Sequence, residues 1–138
     1  MQDDEIKALS DLRMEHAVEC LETAKKVLEF GDYKSAANRS YYAVFHAMRA
    51  VLAYDDIQKT KHSGIISEFR RLYIKTGVFD SEMSDIISNL FDIRTNSDYN
   101  DFFVVAKDDV KRQVAGAETF IISLSSTTCC KRFSKQNP

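Results

Sequence analysis

The stretch YKSAANRSYYAVFHAMRAVLAY, residues 33–54, decides the fold. Ala37, Tyr41, Val44, Phe45, Met48 and Leu52 recur at three- and four-residue spacing, the apolar stripe of a helix. Neither glycine nor proline interrupts it. Gly31 ends the helix before it and Asp32 is placed to cap its N-terminus. The opposite face is unusual. Arg39, Tyr42, His46 and Arg49 line up at spacings of three, four and three, where a solvated face would carry Lys and Glu. Ala43, Ala47 and Ala50 beside them would let another helix approach closely.

Outward from this segment the same periodicity continues. A first helix is predicted from about Asp4 to Phe30, with Leu9, Leu12, His16, Cys20, Ala24 and Val27 or Leu28 inward. His16 on that stripe reads as a core histidine. After a polar loop from Asp55 to Lys61, a third helix spans His62 to Thr76, with Ile65, Ile66, Phe69, Leu72 and Tyr73 inward and Gly77 as its stop. Asp80 or Ser81 caps a fourth, which ends near Ser97. The turn-rich Asp98–Asp101 follows, then Phe102–Val105 as an extended segment packed on the bundle. A fifth helix begins at Asp108–Asp109 and reaches Leu124. The expected architecture is all-α: one up-and-down bundle of four to five helices over 4–124, with 125–138 a polar, disordered tail.

Composition narrows the function. The net charge of −2 excludes a global basic field, so a nucleic-acid site must be a local patch and no DNA binding is expected. No apolar run approaches a membrane span, and the acidic start MQDDEIK is unlike a signal peptide. Cys20, Cys129 and Cys130 form neither a zinc spacing nor a disulfide framework, which fits a reducing cytoplasm. With no histidine pair at ligand spacing, no P-loop and no GxGxxG, neither metal nor cofactor is expected.

The fourth helix carries the sharpest anomaly. Met83, Ile86, Ile87, Leu90, Phe91 and Ile93 fill one arc of its wheel, and Arg94 falls inside that arc. A guanidinium there needs a carboxylate, a phosphate or carbonyls. Asp98, one turn on, would make a structural ion pair; the alternative is a guanidinium held in a cleft for phosphate. Lys59, Lys61 and His62 at the third helix N-terminus form a weaker anion-attracting group.

These residues resemble a known family. Ala36–Ala47 (AANRSYYAVFHA), Lys61-His62-Ser63-Gly64, Arg94–Tyr99 and Asp101–Val105 are similar, in order, to the HEPN domain (higher eukaryotes and prokaryotes nucleotide-binding), in its small stand-alone prokaryotic branch. The resemblance spans about Asp4 to Leu124. It implies a helical bundle that forms a homodimer, a minimal nucleotidyltransferase as partner in a toxin–antitoxin-like pair, and RNA or a nucleotide as ligand. It also implies metal-independent RNA cleavage by an Arg followed, after four to six residues, by a His. Arg94 matches the arginine. Tyr99, Asn100 and Asp101 stand where the histidine would be. Arg94, Tyr99 and His46 are therefore the expected catalytic residues, with His46 or His62 as the substitute imidazole. Arg39, Tyr42, Arg49, His62 and Asp98 are the expected nucleotide- or RNA-binding residues. By the same resemblance, Tyr99 is the nearest equivalent of a tyrosine that the partner adenylylates to silence such toxins. A non-catalytic subunit that holds a nucleotide for the nucleotidyltransferase is the alternative.

Overall fold

In the computed structural model the backbone of residues 3–55, 57, 59–100 and 104–136 is described, and side chains as far as residue 126. Five helices follow one another: α1 Asp3–Glu29, α2 Tyr33–Leu52, α3 His62–Phe69, α4 Ser81–Tyr99 and α5 Lys107–Gln136. Strands are absent among the described residues. The turn between α1 and α2 forms as its sequence dictates. Gly31 takes the left-handed conformation at φ 81°, the Gly31 N–H reaches the Leu28 carbonyl and the Asp32 N–H the Val27 carbonyl. Asp32 then accepts the Ser35 N–H at 3.2 Å as the cap of α2.

α2 is the axis of the bundle, because α1, α3, α4 and α5 all pack against it. Its buried surface is therefore wider than the stripe and includes Ala36, Ser40, Ala43, Ala47, Ala50 and Val51. The small residues bring α1 close. Ala17 and Ala24 of α1 are fully buried, as are Ala36, Ala43, Ala47 and Ala50 of α2. The buried Ser10 hydroxyl donates to the Ala50 carbonyl at 2.8 Å, a bond worth about 1 kcal/mol. The strip left half-buried on α2 is Asn38–Arg39, Tyr42, His46 and Arg49, the line its sequence marked as anomalous.

Four expectations need correction. The buried face of α1 is Ser10, Ala17, Leu21 and Ala24, one residue round from the stripe read from the sequence. Leu12 and His16 are exposed, so His16 is not a core residue. Close approach of α2 puts Ser10, Ala17 and Ala24 at the seam beside Leu21, while Cys20, Val27 and Leu28 of the expected stripe pack partly against the core and Leu12 turns outward. The third helix does not run unbroken to Thr76: Arg70–Ile74 winds into a π turn, with the Lys75 N–H bonding to the Arg70 carbonyl at 2.9 Å. α4 continues through Asp98 and Tyr99, read from sequence as turn residues. α5 does not end at Leu124; nothing in its Ser/Thr-rich continuation breaks a helix, and the backbone stays helical to Gln136. Of the expected extended segment, Phe102 and Phe103 lie outside the described residues, as does Asp101. Val104 and Val105 are non-helical, and Val105 packs against the core.

Candidate phosphate site around Arg94

Arg94 lies one turn beyond Leu90, on the face through which α4 buries Met83 and Ile87. Its side chain is only 20% exposed, so its charge is largely withdrawn from water. Two tyrosine rings of α2 receive it: the guanidinium carbon sits 4.9 Å from the centre of Tyr41 and 5.4 Å from that of Tyr42. Nη2 donates to the Tyr42 hydroxyl at 3.2 Å. The Asp98 carboxylate stands 3.7 Å from Nε, within ion-pair range but beyond a hydrogen bond. Nε is buried and makes no hydrogen bond among the described residues. The staple envisaged between Arg94 and Asp98 is thus loose, and the guanidinium keeps donor capacity.

Arg39 completes the arrangement from α2. Its guanidinium lies 5.1 Å from the Tyr42 ring, so one ring faces two arginines. Asn38 Oδ1 accepts from its Nε at 3.2 Å and its Nη2 at 2.8 Å, a neutral acceptor that fixes the group without cancelling its charge. Arg39, Arg94, Asn38, Lys34, Ser97 and Asp98 line a cleft of roughly 420 Å³. The buried Ser97 hydroxyl, like Arg94 Nε, has no hydrogen-bond partner among the described residues.

His62 enters through Tyr41. The Tyr41 hydroxyl and His62 Nδ1 are 2.8 Å apart, and the imidazole stacks on Phe45 at 4.1 Å. Burial raises the Tyr41 phenol to about 12, against a smaller opposing pull from Arg94. Burial, then the charges of Arg94 and Arg49, lower the His62 pKa, which keeps the ring neutral at neutral pH. Tyr41 is the residue sequence reasoning missed: as part of the apolar stripe it read as core alone, though its hydroxyl meets His62 while its ring carries the Arg94 guanidinium.

The other expected residues fall elsewhere. His46 lies one turn beyond Tyr42, its ring 5.7 Å from that of His16 on α1. His46 Nδ1 is buried without a hydrogen-bond partner among the described residues. Burial lowers its pKa first, then His16, Arg49, Arg39 and Arg13. Arg49 is further along α2, where its carbonyl accepts from Arg13 Nη1 at 3.0 Å. Tyr99 is 79% exposed and is not part of the cleft lining. No group of three His, Cys, Asp or Glu able to hold a metal occurs among the described residues. Nor, among them, is any helix long and apolar enough to cross a membrane.

An all-helical bundle whose central helix presents Arg-x-Tyr-Tyr to an arginine on a later helix defines a class, and comparison with known proteins agrees: residues 10–125 match the HEPN domain. The chain belongs to the HEPN domain family. It is similar to a UPF0332 protein of Archaeoglobus fulgidus, 35% identical over 80% of this chain and 88% of the relative. A UPF0332 protein of Thermotoga maritima is 34% identical over 76% of this chain and 80% of the relative. A Methanocaldococcus jannaschii protein named "Putative toxin MJ0605" is 33% identical over 70% and 69%.

Proposed function

We propose that this chain is the toxin-like HEPN component of a two-protein pair, binding RNA through a phosphate at the Arg94 cleft and cleaving it there. The observation that carries this reading is the state of Arg94: a mostly buried guanidinium on two tyrosine rings, with a buried Nε that, among the described residues, makes no hydrogen bond and meets the Asp98 carboxylate only at 3.7 Å. A phosphate oxygen would supply the missing acceptor, and Arg39 across Tyr42 would supply a second cation. The toxin-named relative supports the biological role; a homodimer and a minimal nucleotidyltransferase as partner are part of this proposal, drawn from the family resemblance alone.

In the cleavage step, the RNA 2′-hydroxyl attacks the adjacent phosphorus and its proton passes to a neutral imidazole. The phosphorus–5′-oxygen bond breaks and the leaving oxygen takes a proton from water, giving a 2′,3′-cyclic phosphate and a 5′-hydroxyl; the hydroxide so formed recovers the proton held by the imidazolium. Arg94 stabilises the charge that builds on the phosphorane oxygens. We assign the base to His62, which lies outside the cleft lining but is coupled to Arg94 through Tyr41; with Nδ1–H donating to the Tyr41 hydroxyl, Nε2 is free to take the proton, and the lowered pKa favours the neutral ring. The test is digestion of single-stranded RNA in excess EDTA. Wild-type protein should generate cyclic-phosphate ends, whereas Arg94→Ala and His62→Asn should not; equal activity in Arg94→Ala would refute the mechanism.

One observation favours a second reading. Tyr99, Asn100 and Asp101 stand at the spacing from Arg94 where the resemblance places a histidine, so the signature's own imidazole is missing. On that reading the cleft binds a nucleotide for the partner without cutting. RNA binding with no product in EDTA would select it.

A further inference from the structure

The Arg94 cleft is one end of a longer basic strip. From Arg39 the strip follows α2 through Tyr42 and His46 to Arg49, a rise of about 15 Å at about 1.5 Å per residue. α1 supplies its second edge. His16 meets His46 ring to ring at 5.7 Å, and Arg13 reaches across to the Arg49 carbonyl at 3.0 Å. The charged groups that act on His46 are His16, Arg49, Arg39 and Arg13, all cationic or able to become so. At its far end the strip opens into a second cleft of roughly 440 Å³, whose lining includes Arg13, Arg49 and Lys59. The carboxylate in that lining, Asp55, accepts the Tyr73 hydroxyl at 2.5 Å. Cys20 lies one turn from His16, yet it gathers no metal-ligand group with the histidines among the described residues. Arginines on both sides suit an anion instead.

Two clefts joined by a line of cations and half-buried rings fit a chain of phosphates better than a single one. We propose that Arg13, His16, His46 and Arg49 form a second phosphate site, which holds the backbone of a single-stranded RNA running from the Arg94 cleft along the α1–α2 seam. Each cleft, roughly 420 and 440 Å³, is within the size range of small-ligand pockets. Tyr42, half-buried between the two sites, holds Arg39 and Arg94 beside the path of that backbone. Nothing in the family's arginine–histidine signature involves α1. This inference rests on RNA being the ligand of the Arg94 cleft.

The test uses the full chain and two probes: AMP, which can fill one cleft, and a fluorescent RNA octamer, 2′-O-methylated so that it cannot be cleaved. Affinities are measured across a series of KCl concentrations. Arg13→Gln, Arg49→Gln and His16→Glu should each weaken octamer binding about tenfold and leave unchanged the share of AMP binding that Arg94→Ala abolishes. Each lost arginine–phosphate contact should make the slope of log affinity on log salt shallower by about 0.7. Because Arg13 also braces the end of α2, thermal midpoints are measured alongside; the exposed His16 position keeps the test decisive if Arg13→Gln unfolds. Wild-type octamer affinity and salt slope in all three variants, with binding lost only in Arg94→Ala, would overturn the second site and leave the first standing. Wild-type protein that binds neither probe would overturn both. Displacement of the octamer by poly-glutamate as effectively as by unlabelled RNA would overturn the assignment to a nucleic-acid backbone.

Discussion

Two arginines tie α4 to its neighbours, Arg70 reaching onto it and Arg94 reaching from it to α2, and their surroundings differ in kind. Arg70, on the π turn after α3, donates to Ser84 Oγ at 3.0 Å, the Ser84 carbonyl at 3.1 Å and Ser88 Oγ at 2.6 Å. It clamps one segment to another with three hydrogen bonds to neutral acceptors. Arg94 is held by two rings, one phenol and a distant Asp98 carboxylate, with a buried nitrogen that has no hydrogen bond among the described residues. The first guanidinium spends its donors on the fold. The second keeps donors back at the edge of a cleft, where a cation buried without full pairing is unfavourable unless something anionic arrives.

This contrast breaks most sharply under truncation. Arg94→Ala should weaken single-stranded RNA binding about a hundredfold by titration, since it removes the charge-assisted contacts at the centre of the site. Arg70→Ala should leave RNA affinity unchanged and lower unfolding stability by about 2–3 kcal/mol in urea melts, three hydrogen bonds at about 1 kcal/mol each. RNA binding lost equally in both variants would mean that the distinction is one of stability alone.

A subtler substitution sharpens the comparison. Tyr41→Phe keeps the ring under Arg94 and deletes the hydroxyl that meets His62 at 2.8 Å. RNA affinity should stay near wild type, stability should fall by about 1 kcal/mol, and cleavage should fall roughly tenfold as the imidazole loses its orientation. Unchanged cleavage would remove His62 from the mechanism.

The smallest expected effect is on pH dependence. His46 and His62 both titrate lower in the folded chain than their ordinary value of 6.5. Between the lowered folded value and 6.5 the unfolded chain binds more protons than the folded one, so stability rises with pH through that window and levels off above it. His62 is faced by Arg94 and Arg49, and His46 by His16, Arg13, Arg39 and Arg49. A bound phosphate offsets those cations and favours the protonated rings. Thermal melts from pH 5 to 8 should therefore lose less stability on acidification with the RNA octamer present than without it. An identical pH slope with and without RNA would separate the histidines from the ligand site.

Much of the fold was legible because helical periodicity and the Gly31–Asp32 and Gly77 stops act locally, and each formed where the residues called for it. Arg94 was legible for the same reason, as a charge at a position the wheel reserves for apolar groups. What escaped depends on neighbours. Which side of α1 faces inward follows from how closely α2 approaches, so His16 was assigned to the core although it lies outside. The role of Tyr41 depends on what meets its hydroxyl, and periodicity records only that the ring is buried. Tyr99 earned its place from spacing to Arg94 alone, and the helix carries it outward, away from the cleft lining. Arg13 gave no local signal at all; only the crossing of α1 over the end of α2 brings it to Arg49.

The central claim is that Arg94 is held ready for a phosphate. Its most direct measurement is the affinity of the 2′-O-methylated RNA octamer for Arg94→Ala, with the thermal midpoint recorded on the same sample and Arg70→Ala run beside it. The account predicts an octamer affinity about a hundredfold lower in Arg94→Ala at a near-native midpoint, and native affinity at a lowered midpoint in Arg70→Ala. Native octamer affinity in folded Arg94→Ala would contradict it.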